Sequence, residues 1–230
     1  MKTLGVIGGL GPMATVYFLE LVTKLEHAQS DQEHIPIVME SIPRTPDRTA
    51  YILNPNNPNP LPFFISAGKH LKEIGAEYVA IPCVTAHFFH DQLSDEIGLP
   101  VISIPVELGR RFHSEGVSKV GILATSGTIY SNFLQNELHS QKIEVITPND
   151  NNQKIIMSII YDEIKAGKEP NVELFLGVGE QLQKEGAQKL VLGCTELSLI
   201  QKDYPQQLSN DYVDVLEVLA EAAIRYSKEN

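Results

Sequence analysis

The chain is 230 residues long, with 18 Lys plus Arg against 29 Asp plus Glu, a formal charge of −11 and two cysteines. An acidic protein without a basic run is a poor match for nucleic acid, whose binding depends on cations displacing phosphate counterions. No apolar run reaches the roughly eighteen residues that a membrane span needs. Cys83 and Cys194 lie far apart and no short-spaced Cys or His pair accompanies them, so neither a disulfide staple nor a metal site is expected.

The start, Met1 to Gly9, has no long apolar region before Gly8-Gly9 and reads as a first strand rather than a leader. A cytoplasmic protein is the expectation. Val6-Ile7 is that strand, and Gly8 to Thr15 is the turn into a helix running to about His27. Gly9-x-Gly11-x-x-Ala14, with Glu40 at the end of the next apolar run, fits a dinucleotide fingerprint. Against that, Pro12 has no amide hydrogen to offer a pyrophosphate, and a plain glycine turn explains the same residues.

Ser41 to Thr49 carries Arg44, Arg48 and two prolines that hold it out of helix and sheet. It reads as an anion-holding loop, or as a surface Asp47–arginine pair. Asn54 to Pro60 cannot be regular structure; it is a lid or a linker. A helix from Leu61 to Ile74 leads to the strand before Cys83. Thr85 to Ile97 reads as a helix, Pro100 to Ile104 as a strand and Pro105 to Glu115 as a helix. Val120 to Ala124 is a strand, and Thr125-Ser126-Gly127-Thr128 places hydroxyls and amides at a helix start, suited to a carboxylate or to ordinary capping. Glu144 to Thr147 is a strand and Gln153 to Ala166 a helix stopped by Gly167, with Lys165 in its last turn. Asn171 to Glu185 is the helix before the second Cys strand. An irregular stretch to Asn210 precedes a final helix, Val213 to Tyr226, whose apolar stripe packs on the first half.

The chain repeats itself. Leu71 to Cys83 aligns without a gap on Leu182 to Cys194, a shift of 194 − 83 = 111 residues, and Gly5 and Gly11 recur as Gly121 and Gly127, a shift of 116. Each copy is a helix tail, a glycine stop, an apolar run and then Cys where the strand ends. In α/β sheets ligands bind beyond the carboxyl ends of the strands. The expected fold is therefore two similar Rossmann-like α/β domains related by pseudo-twofold symmetry, with the active site in the cleft between them. The first domain is 1–104 plus 211–230 and the second is 105–210. A thiolate and a thiol facing each other across such a cleft can remove a proton from one side of a carbon and return one to the other.

Gly5 to Thr15, Pro46-Asp47-Arg48-Thr49, Pro82-Cys83-Val84-Thr85-Ala86-His87 and Gly193-Cys194-Thr195-Glu196-Leu197 resemble the aspartate/glutamate racemase family, in its aspartate racemase branch. The resemblance covers nearly the whole chain. It implies a cofactor-independent racemase of an acidic amino acid, a homodimer, in which Cys83 serves the D and Cys194 the L enantiomer. It also implies that Arg48 and Lys165 hold the side-chain carboxylate, and that Thr85, Thr125, Ser126, Thr128 and Thr195 surround the α-carboxylate and ammonium. Gly9, Gly11, Gly127, His87 and Glu196 belong to the same motifs in supporting places. Two positions depart. Val84 stands where the family has Asn, which makes the pocket more apolar, and Asp211-Tyr212-Val213 stands where an Asp followed by small hydroxyl residues is common. Other readings of the two-thiol chain are a glutamate or broad amino-acid racemase, a maleate isomerase and an amino-acid-binding protein.

Overall fold

The computed structural model describes residues Met1 to Glu229. The chain divides into two compact units, Met1–Ile104 joined by the segment from Leu216 onward, and Pro105–Val215.

In the first unit the order is β1 (Leu4–Gly8), α1 (Pro12–Leu25), a 3-10 turn, β2 (Ile37–Ser41), α2 (Arg48–Leu53), α3 (Leu61–Glu73), β3 (Tyr78–Ala80), a 3-10 segment Val84–Phe89 and α4 (His90–Ile97). Helix α5 (Ile104–Glu115) leads into the second unit, which holds β4 (Lys119–Ala124), α6 (Ser126–Ser131), α7 (Phe133–Ser140), β5 (Glu144–Ile146) and α8 (Asp150–Ser158). A π-helical stretch Ile159–Ile164 continues α8, followed by α9 (Val172–Lys184), β6 (Lys189–Gly193), α10 (Leu197–Asp203) and β7 (Tyr212–Asp214). Helix α11 (Val215–Lys228) ends the chain.

All strand pairs are parallel, in the orders β2-β1-β3 and β5-β4-β6-β7. The first strand of each unit is central and its five or six residues are almost wholly buried, as expected of strands covered on both faces. The chain leaves β1 toward β2 on one side and returns to β3 on the other, and β4, β5 and β6 repeat this. The gaps between the carboxyl ends of β1 and β3, and of β4 and β6, are thus topological switch points, where sheets of this kind bind ligands.

The repeat is physical as well as textual. Gly75 and Gly186 stop α3 and α9 at φ +102 and +101, a left-handed turn that glycine enters without a Cβ clash. The next residues close each cap, Ala76 N–H to Leu71 C=O at 2.9 Å and Ala187 N–H to Leu182 C=O at 3.0 Å. These same two leucines face the central strands: a Cβ on Gly5 would come within 3.5 Å of Leu71 Cβ, and one on Gly121 within 3.1 Å of Leu182 Cβ.

Several elements differ from expectation. Pro100 to Ile104 is not a strand: Val101 makes a single bridge to Val79. The proline has no N–H to extend a ladder, and pairing is limited to Val79 N–H with Pro100 C=O and Ile102 N–H with Val79 C=O. Arg48 and Thr49 belong to a helix rather than to the preceding loop, because Asp47 caps α2 by accepting from Ala50 N–H at 2.7 Å. The segment after Thr195 is not irregular throughout; it holds α10 and then β7. Since β7 pairs with β6, residues 211–215 belong to the second unit, and the boundary lies at Leu216 instead of 211. Helix α11 packs in the first unit, where Tyr78 Oη donates to Ala223 C=O at 2.8 Å and Tyr78 stacks on Tyr226. Among the described residues no helix is long and apolar enough to cross a membrane.

Candidate active site

Each unit assembles a set of functional groups at its switch point. In the first, β3 ends at Ala80, and Ile81-Pro82 carry the chain to Cys83, whose backbone is still extended before the 3-10 segment begins. The Cys83 side chain lies among apolar residues including Ile7, Leu10, Phe64 and Val79 and keeps 5% of its surface exposed. Val84, the departure from the family pattern, is buried beside it, as are Thr85 and His87. The His87 imidazole is pushed down to about 3 by burial, with His90 adding to the effect and the Ile81 carbonyl opposing it. A ring that stays neutral at ordinary pH and whose Nε2 lies 3.3 Å from Ile81 C=O is a brace for the Cys83 turn rather than a proton carrier.

On the other flank of this switch point stands the turn after β1. Gly9 has φ +87, and a Cβ there would lie 2.7 Å from Ile42 N. Its N–H donates to Thr15 Oγ1 at 2.9 Å, and that hydroxyl donates to Gly11 C=O. Gly11 is the N-cap of α1 and Pro12 its first residue, a common opening because that position needs no N–H. The glycine turn is therefore consumed in joining strand to helix, and Glu40, the acid of the dinucleotide fingerprint, pairs with His70 at 2.9 Å. The Arg48 guanidinium is buried and donates to Leu10 C=O at 3.0 Å and to Pro46 C=O at 3.4 Å, which fixes it beside the same turn.

In the second unit Cys194 follows β6 directly and is buried to the same degree as Cys83. Its Sγ donates to Glu196 Oε2 at 3.0 Å, and Glu196 Oε1 lies 3.6 Å from Lys165 Nζ. Lys165 also sits 4.4 Å above the Tyr161 ring. Burial pushes the Cys194 thiol up, the Glu196 carboxylate adds to this, and Lys165 pulls it back. Lys165 is presented by the π-helical stretch rather than by a regular helix end, its N–H reaching back five residues to Ile160 C=O. Such stretches are frequent at functional sites.

The turn after β4 supplies Thr125, Ser126, Gly127 and Thr128. Thr125 caps α6, with Oγ1 accepting from Thr128 N–H and lying 3.2 Å from Thr128 Oγ1. Ser126 N–H points at Met157 Sδ, 3.1 Å away, and Thr195 is buried next to Cys194.

Asp214 is not marked by the sequence motifs, which point to Asp211; but β7 starts at Tyr212, so Asp211 lies before the strand and pairs with Lys189. The acid at the carboxyl edge is Asp214, opposite Leu192 of β6 and bonded to Ser198 Oγ at 2.5 Å. The signal available was an acid closing the short apolar run Tyr212-Val213. Tyr161 had no signal, because nothing local in the sequence announces a π-helix.

Comparison with known proteins bears on the whole chain. The family model of Asp/Glu/hydantoin racemases matches residues 7–223. The aspartate racemase of Picrophilus torridus is 27% identical, with a TM-score of 0.82, covering 100% of this chain and 96% of that one. A putative Asp/Glu racemase from Yersinia pestis is 26% identical at a TM-score of 0.83, covering both chains fully. The broad specificity amino-acid racemase RacX of Bacillus subtilis (strain 168) is 26% identical over 206 residues, 86% of each chain. With its parallel α/β units, its repeated cysteine turns and a match over residues 7–223, the chain belongs to the Asp/Glu/hydantoin racemase family.

Proposed function

We propose that the protein is a cofactor-independent amino-acid racemase acting on aspartate, with Cys83 and Cys194 as the two acid/base groups. The observation that carries this is the placement of the thiols: each stands just past the strand next to its unit's central strand, at the switch point, free and buried. In the productive form one sulfur is a thiolate and the other a thiol. The thiolate takes the Cα proton, the thiol gives its proton to the opposite face of the carbanion, and the stereocentre inverts with no net change in protons. Solvent exchange then resets the pair.

The substrate class rests on cations and donors. Arg48 offers a rigid fork for a carboxylate and Lys165 a point charge, which suits a dicarboxylate in an acidic protein. Thr85, Thr125, Ser126, Thr128 and Thr195 are the residues assigned to the α-carboxylate and ammonium: hydroxyls can accept from the ammonium and donate to the carboxylate, where hydrogen bonds to the charge that develops on deprotonation lower the barrier. Deuterium wash-in at Cα of L-aspartate, with growth of the D form and no added cofactor, tests this reading; absence of exchange with any acidic amino acid overturns it.

A second reading is a broad amino-acid racemase. Val84, buried beside Cys83, presents no polar group to a substrate, and one relative is a racemase of broad specificity. Exchange measured across aspartate, glutamate and neutral amino acids separates the two, and Val84→Asn is expected to narrow the set.

A further inference from the structure

The two cysteine turns differ in one charged group. Two residues past Cys194 stands Glu196; two residues past Cys83 the repeat has Thr85. Glu196 is 4% exposed, and its Oε2 is 3.0 Å from the Cys194 sulfur. A carboxylate only accepts, so this contact exists as a hydrogen bond only while the sulfur carries its proton. Ionising both groups would put two negative charges against each other away from water, which is strongly unfavourable.

The charged groups that face Cys194 within its unit are Glu196, from its own turn, and Lys165, from the end of the π-helical stretch, with the Tyr161 hydroxyphenyl ring under the lysine. Cys194 also belongs to an apolar cluster with residues of β6, α9 and α10, including Leu192, Phe175 and Leu197. Lys165 lies 3.6 Å from Glu196 Oε1, and its charge acts on the sulfur in the opposite direction to Glu196 and less strongly.

We propose that Glu196 is a positioning residue that holds the proton on Cys194, so that Cys194 enters the reaction as the thiol that donates. This rests on the two-thiol reading above and adds an asymmetry to it: one half of the site starts as donor by construction. The raised Cys194 ionisation caused by burial and by Glu196 agrees with the geometry. After each turnover the proton is on Cys83 and has been lost from Cys194, and Glu196 then favours its return from solvent.

The experiment uses the full chain carrying Cys83→Ser, in which Cys194 is the one remaining thiol, and follows thiolate ultraviolet absorbance against pH. Glu196→Gln keeps the shape and removes the charge; the ionisation midpoint is expected to fall. Lys165→Met is expected to raise it. An unmoved or higher midpoint in Glu196→Gln overturns the proposal. If that variant does not fold, Glu196→Asp, which draws the charge back by one methylene, is expected to lower the midpoint by less, and an unmoved midpoint there overturns it equally. Cα exchange by the wild type is read separately. Exchange with an unmoved midpoint sinks the Glu196 role alone, and a shifted midpoint without exchange sinks the racemase reading alone.

Discussion

The two strand-to-helix turns after β1 and β4 occupy equivalent places, since 9 + 116 = 125 sets Gly9 over Thr125, yet they are built differently. In the first, Gly9 turns at φ +87, the helix waits until Pro12, and the Thr15 hydroxyl reaches back to close the loop. In the second, Thr125 keeps φ −65 and caps a helix that starts at once. The cysteine turns diverge in the same way. Cys83 is reached through Ile81-Pro82 and leads into a 3-10 segment, whereas Cys194 follows its strand directly and faces Glu196. Duplication preserved where each sulfur stands and left each half free to support it with different local chemistry.

The sharpest way to break the comparison is at the sulfurs. If the halves are equal partners in proton transfer, Cys83→Ser and Cys194→Ser should each lower Cα exchange by on the order of 10²–10⁴-fold. A single tolerated substitution, measured by deuterium wash-in, would show that only one half acts. The glycine turn comes next. Gly9→Ala sets a Cβ against the Ile42 backbone at a left-handed φ and is expected to cost roughly 2–3 kcal/mol in urea unfolding.

Acid separates the halves more gradually. Position 87 in the first copy corresponds to 198 in the second, since 87 + 111 = 198; one holds a buried His and the other a buried Ser. His87 has an ordinary value of 6.5 and a folded value of about 3, so between these the unfolded chain binds the extra proton. Its contribution is complete above pH 6.5 and is lost as pH falls toward 3, by up to about 1.4 kcal/mol per pH unit for one proton. Unfolding free energies at neutral and mildly acidic pH should show this slope in the wild type, and His87→Gln should flatten it. Smallest is the cap: Thr125→Ala removes the acceptor for Thr128 N–H and should cost about 1 kcal/mol, less than its counterpart Gly9→Ala.

What could be read from the chain without coordinates was periodic and repeated. The buried central strands, the left-handed glycines that end α3 and α9, and Cys83 and Cys194 at strand ends all follow from local preference plus a gapless internal echo. Elements whose form depends on partners were not legible. Pro100 to Ile104 has the composition of a strand but makes only the single Val101–Val79 bridge before α5 begins at Ile104. Tyr212 to Asp214 is too short to declare itself and is a strand because β6 offers it an edge.

The amino-acid sequence by itself determined the order of α/β elements, the duplication and the candidate sulfurs, because hydrophobic period, glycine stops and repeat spacing are properties of neighbours along the chain. The tertiary structure alone decided that Lys165 rides on a π-helical stretch over Tyr161, that Glu196 binds the Cys194 proton, and that Asp214 is the acid at the edge. Those facts depend on which way side chains turn, on which strand lies beside which and on removal from water, none of which is written in local pattern.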